Sequence, residues 1–382
     1  MRFTVSKKRL VATLKAVTPA VPTRPGLPVL ACVRIDASGN LLSVKATDLE
    51  LAIEEFVATE RAVERPGAGL VPAKLLAKAL QAMDGDDVTL EVKSERDRPR
   101  LKVGAGNRTL VLDSYPEEEW PAFPSHEGSA RVADAETSAL RDALERSAIC
   151  ASRDEARPIL TAVALFIEPG SPTLRVVATD SYRLGVVEVP LAGEPDAPER
   201  PMLVPASVAK ALAKGLKGER GRVTILRDED PGGRDQRAVF SFARTDWWVR
   251  TIEGEFPNWH QVMPEAEGGR LDADAKELES ALKAASTVRG GDSAPVQLSL
   301  DATCTLRLDE PDVGRLTEEL DGARFSPDGV GPLDVAYNPE YLLDGVRFVG
   351  SERIRMWVRD GLKPALMEGR GRRYAVMPVR TR

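Results

Sequence analysis

The segment Leu70-Val71-Pro72-Ala73-Lys74-Leu75-Leu76 returns later in the chain as Leu203-Val204-Pro205-Ala206-Ser207-Val208-Ala209. A looser third copy is Ala336-Tyr337-Asn338-Pro339-Glu340-Tyr341-Leu342. The offset from Pro205 to Asn338 equals the offset from Pro72 to Pro205. This period, close to a third of the chain, is too long for a solenoid repeat and is the size of a whole domain. The sequence therefore predicts three tandem domains of one fold.

Further pairs recur in the same order at nearly the same offset. Arg24-Pro25 returns as Arg157-Pro158 at the same offset, and Thr47-Asp48 returns as Thr179-Asp180 one position earlier than that offset predicts. Stretches rich in Pro, Gly and acidic residues read as linkers between the domains. We place these linkers at 117–128 and 264–269, which gives domains over 1–125, 129–263 and 268–382.

Each predicted domain has the same pattern of elements. It opens with an amphipathic stretch of helical period, at 8–17, 135–148 and 275–287. Alternating strand patterns follow, and the alternation at Leu42, Val44 and Ala46 continues through Leu49, Leu51 and Ile53. The Val-Pro-Ala segment then begins a second helix. The fold class is α+β, with two helices beside antiparallel sheet in each domain.

Composition limits the function classes. The 382 residues carry 59 acidic and 53 basic side chains, a net charge of -6, which taken alone argues against a protein that coats nucleic acid. The three cysteines are far apart and odd in number, as expected of small buried residues in a reducing compartment. No apolar run is long enough to span a bilayer, so we expect no membrane partner and a cytoplasmic location.

Motifs for catalysis or cofactor binding are sparse. The only histidines are His126 and His260, which are expected at the surface, and no phosphate-binding glycine loop occurs. We therefore expect no metal and no cofactor. The segment from Ser207 to Lys210 does match S-x-x-K, which sets a serine nucleophile one helical turn from its base. A serine acyl-transfer enzyme is thus the alternative function, although the first repeat has Lys74 where this serine stands.

Basic side chains form stripes on the second helices. Lys74 and Lys78 share one face in the first domain, and Lys210 and Lys214 share the corresponding face in the second. Glu340 interrupts the pattern in the third domain. A single stripe is typical of a solvated helix face, but its recurrence favours a basic surface that faces phosphates.

The chain resembles the bacterial DNA polymerase III beta subunit family, the sliding clamps, over essentially its whole length. The motifs that carry the resemblance are Arg24-Pro-Gly-Leu-Pro-Val-Leu30, Thr47-Asp-Leu-Glu-Leu51, Arg157-Pro-Ile-Leu-Thr161, Thr179-Asp-Ser-Tyr-Arg-Leu184, Gly254-Glu-Phe-Pro-Asn258 and Tyr374-Ala-Val-Met-Pro-Val-Arg380. Several ordered motifs together are far more specific than any one of them.

The resemblance implies a DNA-clamp fold and a head-to-tail homodimer, in which helices line the hole of a ring and sheets lie outside. Such a ring encircles duplex DNA without sequence preference and slides along it. It tethers the replicative DNA polymerase catalytic subunit and other proteins with clamp-binding motifs, while a clamp-loader ATPase opens and closes it. The ring itself catalyses no reaction, because its mechanism is topological.

The resemblance also implies a pocket for partner peptides between the second and third domains. Its expected members are Leu160, Thr179, Ser181, Tyr182, Arg183, Leu184, Pro257, Val262, Ala375, Val376, Met377, Pro378, Val379 and Arg380. The apolar members would line a groove for short linear peptides, with Arg183 and Arg380 at its rim. The segment 375–379 also reads as a last core strand.

Some positions depart from the family pattern. The family commonly has Gly-His where this chain has Ser181-Tyr182, and a basic residue where it has Gln261. The chain ends with Thr381 and Arg382 instead of one apolar residue. These departures leave the peptide preference open, and a clamp paralogue with an altered pocket is a further alternative.

The remaining expected sites are phosphate contacts and a dimer contact. The family match supports Arg24, Lys74, Arg153 and Arg157 as DNA-binding residues, to which helical spacing adds Lys78, Lys210 and Lys214. Leu110 and Leu112 match apolar positions of the dimer interface. Ser286 and Thr287 stand opposite them, which predicts a more polar interface.

Overall fold

The structure, a computed structural model, describes residues 1–95, 98–229, 236–288 and 294–380. The helices lie close to the predicted places. They are α1 (Lys7–Val17), α2 (Ala73–Ala82), α3 (Thr137–Cys150), α4 (Ala206–Gly215), the single turn α5 (Trp259–Val262), α6 (Ala275–Thr287) and α7 (Pro339–Val349). None of these helices is long and apolar enough to cross a membrane.

The strands follow the order that the repeat predicts, with two helices among them in each repeat. The first repeat contains β1 (Arg2–Ser6), β2 (Cys32–Ser38), β3 (Leu41–Thr47), β4 (Leu51–Ala58), β5 (Gly67–Pro72), β6 (Asp87–Glu95), β7 (Arg98–Ala105) and β8 (Arg108–Asp113). The second contains β9 (Ala130–Glu136), β10 (Ala162–Ile167), β11 (Thr173–Thr179), β12 (Arg183–Ala192), β13 (Met202–Pro205), β14 (Arg222–Glu229), β15 (Gln236–Phe242) and β16 (Thr245–Arg250). The third contains β17 (Gly269–Asp274), β18 (Val296–Leu300), β19 (Thr305–Glu310), β20 (Gly314–Glu319), β21 (Arg324–Ser326), β22 (Leu333–Tyr337), β23 (Arg353–Val358), β24 (Ala365–Gly369) and β25 (Arg372–Val376).

The chain divides into two compact units, of which the first comprises Met1–Ser138, Ala192–Asp196 and Lys214–Thr251. One antiparallel sheet of this unit has the strand order β5-β2-β3-β4-β16-β15-β14-β9. The other has the order β1-β6-β7-β8. The first sheet joins strands of two repeats, because β4 pairs with β16 through Ala52 opposite Trp248.

The second unit comprises Ala139–Leu191, Ala197–Ala213 and Ile252–Arg382. Its larger antiparallel sheet has the order β13-β10-β11-β12-β25-β24-β23-β17-β21. Its smaller sheet has the order β20-β19-β18-β22. Here β12 pairs with β25, with Leu184 opposite Ala375, so this junction repeats the pairing of β4 with β16.

Two strands at sheet edges, β8 and β20, differ from their counterparts in the other repeats. With the short strand β21 left out of the count, β4, β12 and β20 occupy the same place in their repeats, and so do β8, β16 and β25. Four of these six strands find partners across a junction, β4 with β16 and β12 with β25, whereas β8 pairs only with β7 and β20 only with β19 among the described residues. An open edge presents unpaired backbone N–H and C=O groups, which is a template for pairing with another chain.

Helix faces and helix ends account for the local structure. In α1, Leu10, Leu14 and Val17 are buried at helical spacing, as the sequence predicts. The α6 helix begins at Asp274, whose carboxylate accepts hydrogen bonds from two backbone N–H groups of the first turn. In α7, Pro339 occupies the first turn and Gly350 ends the helix in the left-handed conformation.

One strand prediction is wrong. The alternation that continues through Leu49 does not form one strand, because β3 ends at Thr47 and β4 begins at Leu51. Between them Leu49 has a φ of 80°, and the residue is 54% exposed. The Asp48 carboxylate accepts hydrogen bonds from two backbone N–H groups, so a local Asx turn overrides the alternating pattern.

The cysteines are buried free thiols, as predicted. Burial raises the pKa of Cys32 to about 12 and also raises the pKa of Cys150. Both therefore pack as small apolar residues, without thiolate chemistry at neutral pH.

Candidate binding pocket and basic surface

A pocket of about 230 Å³ lies within the second unit, where the turn between β11 and β12 meets α5 and the end of β25. Its lining is mostly apolar. The lining residues are Leu160, Thr179, Ser181, Tyr182, Arg183, Leu184, Pro257, Trp259, Val262, Pro364, Ala375, Val376 and Met377. A concave, apolar surface with a few polar groups is typical of a ligand site.

Strand pairing builds the base of the pocket. Because Leu184 and Ala375 are opposite each other in the β12–β25 ladder, both enter one buried cluster with Trp259. Tyr182 and Val262 remain more than half exposed at the mouth. The pocket therefore has a fixed base in the sheet and an accessible apolar mouth.

The turn from Thr179 to Arg183 has the same construction as the turn from Thr47 to Leu51. Ser181 adopts a φ of 81°, and its N–H donates to the Thr179 hydroxyl. The Asp180 carboxylate accepts hydrogen bonds from the N–H groups of Tyr182 and Arg183. The Thr-Asp pair that recurs in the first two repeats thus specifies a turn that brings polar and aromatic side chains to the pocket mouth.

A buried cation lies beneath this turn. The Arg183 side chain is 12% exposed, and its Nε is 2.9 Å from Asp180 Oδ2. Its Nη1 donates to Asp344 of α7, and its guanidinium carbon is 4.5 Å from the centre of the Tyr341 ring. Tyr182 stacks in turn on Tyr341, with ring centres 6.3 Å apart. These contacts join the pocket mouth to α7.

The charge of Arg183 is secured by its neighbours. Burial alone would lower the pKa of the guanidinium, but Tyr374, Cys150 and the carboxylates of Asp180 and Asp344 hold that pKa above its ordinary value. Arg183 lines the pocket, but most of its side chain is covered by Asp180, Asp344 and Tyr341. Its charge is compensated by carboxylates of the protein, and its contacts hold the residues of the pocket mouth in place.

The structure brings together the expected pocket residues from Leu160 to Met377, but not the last three. Pro378, Val379 and Arg380 are not among the lining residues. Instead, two backbone hydrogen bonds hold this C-terminal segment in place. Met377 N donates to Tyr182 O (2.8 Å), and Val379 N donates to Ala336 O (2.7 Å). The prediction of a last core strand over 375–379 is confirmed for Ala375 and Val376, which belong to β25. Thr381 and Arg382 lie outside the described residues.

Sequence reasoning missed two lining residues, Trp259 and Pro364. Trp259 directly follows the motif that ends at Asn258, so its position was a usable signal. Pro364 belongs to the connection between β23 and β24, and no pattern in the sequence points to it.

The basic stripe residues are exposed on their helices. Lys74 and Lys78 lie on α2, and Lys210 and Lys214 lie on α4. Within the part of the chain that the structure describes, none of the four has an ion-pair partner. They are available for phosphate groups, and their role in binding DNA stays a prediction.

The loop arginines differ from one another. Arg24, Arg153 and Arg157 all lie at the surface. Arg157 Nε is 3.2 Å from Asp154 Oδ2, and its Nη1 is 3.3 Å from the Ser181 hydroxyl oxygen. Arg24 has no hydrogen-bond or ion-pair partner among the described residues.

The remaining candidates lie on α4, on the edge strand β8 and at the end of α6. Ser207 and Lys210 are both exposed on α4, and no hydrogen bond joins them in the described ranges. Leu110 and Leu112 are half-buried on the open strand β8. Ser286 and Thr287 are exposed at the end of α6, where their hydroxyls donate to backbone carbonyls of that helix.

Three family models match successive parts of the chain. They describe the N-terminal domain (residues 1–124), central domain (134–258) and C-terminal domain (260–380) of the DNA polymerase III beta subunit. The chain belongs to the DNA polymerase III beta subunit family. The predicted resemblance and the predicted fold of three tandem α+β clamp domains are confirmed.

Individual relatives match over their whole length. The beta sliding clamp of Synechococcus elongatus is 30% identical over 396 residues, and that of Streptomyces coelicolor is 28% identical over 392. The match covers 100% of this chain in both cases, and 100% and 99% of the relatives. A crystal structure of the sliding clamp of Pseudomonas aeruginosa bound to griselimycin is 26% identical, with a TM-score of 0.88 and 100% coverage of both chains.

A first test concerns the structural role of Arg183 in the pocket. Replacing Arg183 by Met leaves the carboxylates of Asp180 and Asp344 without their counter-charge, so we expect the free energy of unfolding of this region to fall by about 3 kcal/mol. Urea denaturation followed by circular dichroism measures the loss.

The matched control is Arg315→Met. Arg315 is also 2.8 Å from a carboxylate, that of Asp309, but its side chain is 79% exposed. We expect this variant to change stability by no more than about 0.5 kcal/mol. Equal losses in the two variants would contradict the structural role assigned to Arg183.

Proposed function

We propose that this chain is the processivity factor of a replicative DNA polymerase. Two copies form a ring that encircles duplex DNA, slides along it and holds the polymerase at the primer end, without catalysing a reaction. The observation that carries this proposal is the match of all three domains to the sliding clamp family over the full chain. Tethering by enclosure raises the local concentration of a partner without tight contacts to bases.

The open strands support the homodimer. Two junctions between repeats are closed by pairing a strand of the first set (β4, β12, β20) with a strand of the second set (β8, β16, β25), namely β4 with β16 and β12 with β25. The remaining strand of each set, β20 and β8, has no such partner among the described residues. A second copy of the chain supplies the partners: β8 of each copy pairs with β20 of the other, and two such contacts close the ring. Leu110, Leu112, Ser286 and Thr287 belong to this interface in the proposal.

Duplex DNA is the proposed occupant of the ring. The exposed lysines on α2 and α4 form corresponding stripes in two repeats, which suits a surface that meets phosphates from several sides. Arg24, Arg153 and Arg157 add contacts from loops. A net charge of -6 over the chain agrees with a ring that holds DNA by enclosure and has an acidic exterior.

The pocket is the proposed tether for partner proteins. Its apolar lining and exposed mouth suit a short linear peptide that inserts a few apolar side chains. A relative 26% identical binds griselimycin, and we propose that this pocket binds the same molecule. The proposed partners are the polymerase catalytic subunit, a clamp loader and other proteins with clamp-binding motifs, all in the cytoplasm.

Retention on DNA of different topology tests the function. After loading onto a nicked circular plasmid by a clamp loader, we expect the labelled protein to stay on the circle through gel filtration, because a closed ring cannot leave it. Cutting the plasmid once should release the protein from the ends. Equal retention on circular and cut plasmid would refute topological binding.

Substitutions on helix and sheet test which surface meets DNA. Lys78→Ala removes one proposed phosphate contact, so the slope of log K against log salt for a labelled duplex should fall by about 0.9. Lys102→Ala is the matched control, because Lys102 is exposed on strand β7 of the same unit. Equal effects of the two variants would contradict a DNA-facing α2.

The dimer contact is testable on one strand. Leu112→Lys places a charge on the half-buried face of β8, so light scattering at low micromolar concentration should report the chain mass of 41.4 kDa instead of twice that value. Val111→Lys changes the opposite, exposed face of β8 and should leave the dimer intact. A dimer that survives Leu112→Lys would rule out this interface.

A further inference from the structure

The structure joins two proposed sites that the sequence keeps apart. Arg157 belongs to the predicted DNA contacts, and Ser181 to the predicted partner pocket. Their side chains meet, with Arg157 Nη1 3.3 Å from the Ser181 hydroxyl oxygen. We propose that Ser181 is a positioning residue, which holds Arg157 ready for a DNA phosphate and thereby couples occupancy of the pocket to DNA binding. This inference rests on the proposed function.

The loop that carries Arg157 is fixed on its other side as well. Arg157 Nε donates to the Asp154 carboxylate at 3.2 Å, and the other oxygen of that carboxylate accepts the N–H of Ala156 at 3.0 Å. Asp154 N donates in turn to the Ser152 hydroxyl. Asp154 and Ser181 thus hold the guanidinium between them, and its remaining N–H groups are left for an incoming anion.

The repeat provides an internal comparison for the role of Ser181. Arg24 occupies the same place in the first domain as Arg157 in the second. There the turn residue is Leu49, which has the same left-handed conformation as Ser181, with φ of 80° and 81°. Leucine has no hydroxyl, and Arg24 has neither a hydrogen bond nor an ion pair within the described residues. The fixed guanidinium is therefore found where the turn offers a hydroxyl acceptor.

Pocket and loop are also continuous along the backbone. Leu160 lines the pocket, and its N–H donates to the carbonyl of Arg157 at 3.0 Å. Ser152 N donates to the Leu160 carbonyl at 2.8 Å, which closes the loop onto the pocket wall. A molecule in the pocket touches the segment that begins at the proposed phosphate contact.

The direction of the coupling follows from solvent exposure. Ser181 is exposed at the pocket mouth, so water competes for its hydrogen bond with Arg157. An occupant packed against Ser181 excludes that water and strengthens the bond, which keeps Arg157 in place for phosphate. Because coupling between two binding sites is reciprocal, duplex DNA should raise the affinity of the pocket for its occupant by the same factor.

Calorimetry with griselimycin as the probe measures this factor. In the unsubstituted protein, we expect griselimycin to bind about fivefold more tightly in the presence of saturating short duplex than in its absence. Ser181→Leu copies the turn of the first domain, and the ratio should fall to about one. Ser181→Thr keeps a hydroxyl and should keep most of the coupling. A ratio of one or less in the unsubstituted protein would overturn the coupling.

Leu49→Ser is the matched control. It changes the corresponding turn of the first domain and leaves the Ser181–Arg157 hydrogen bond untouched. We expect the griselimycin ratio to stay at the value of the unsubstituted protein. A fall to the value of Ser181→Leu would show a general effect of turn substitutions and would count against the inference.

A double-mutant cycle tests the positioning of Arg157 without any use of the pocket. Ser181→Leu should weaken duplex binding about fivefold and reduce its salt slope. In an Arg157→Ala background the same change should have no further effect, since its target is gone. Equal weakening with and without Arg157 would overturn the positioning role.

Failure of the proposed function gives a different pattern. If the protein is not a DNA-encircling clamp, neither Ser181→Leu nor Lys78→Ala will change duplex binding. If griselimycin fails to bind the unsubstituted protein, both the proposed pocket and the coupling are wrong, and the double-mutant cycle still decides the positioning of Arg157.

Discussion

Backbone pairing between repeats is the constraint on which the rest of the molecule depends. Each repeat contributes strands to two sheets, and the β4–β16 and β12–β25 ladders join neighbouring repeats. These ladders satisfy backbone groups that would otherwise form open edges. They also create a junction at which side chains of two repeats converge. The ladder in the second unit carries the binding pocket, because it sets Leu184 opposite Ala375.

The same constraint relates the fold to an assembly. Each junction between repeats pairs one strand of the set β4, β12 and β20 with one strand of the set β8, β16 and β25. One strand of each set is therefore left without such a partner, one in the first repeat and one in the last. In this chain those strands are β8 and β20, each paired on one side only in the described ranges. The proposed closure through a second copy would satisfy both, and the proposed ring, with its net negative charge, would hold DNA without adhering to it. The acidic composition that argues against a DNA-coating protein is thus consistent with a protein that encloses DNA.

Repeats with one fold have diverged in their side chains. The Thr-Asp turn has the same backbone in the first two domains, with Leu49 and Ser181 in the left-handed position. In the second domain the turn also carries Arg183, which is buried among Asp180, Asp344 and Tyr341. Such a buried ionic group fixes geometry more than it adds stability. It connects the pocket mouth to α7. The equivalent turn in the first domain differs in this respect.

The sequence by itself determined the number of repeats, the helix faces, the motif positions and the family, because these depend on local pattern and on matches in fixed order. Only the tertiary structure decided which strands pair across a junction, and so which distant residues, such as Leu160 and Met377, share one pocket. Arg183 was expected at the pocket rim, and it lines the pocket, but the ion pair with Asp344 that covers its side chain could not be predicted because Asp344 is far away in the sequence. Leu49 was expected in a strand, but Asp48 forms a turn through hydrogen bonds that alternation does not encode. Contacts between side chains far apart in sequence arise from packing, which no periodicity records.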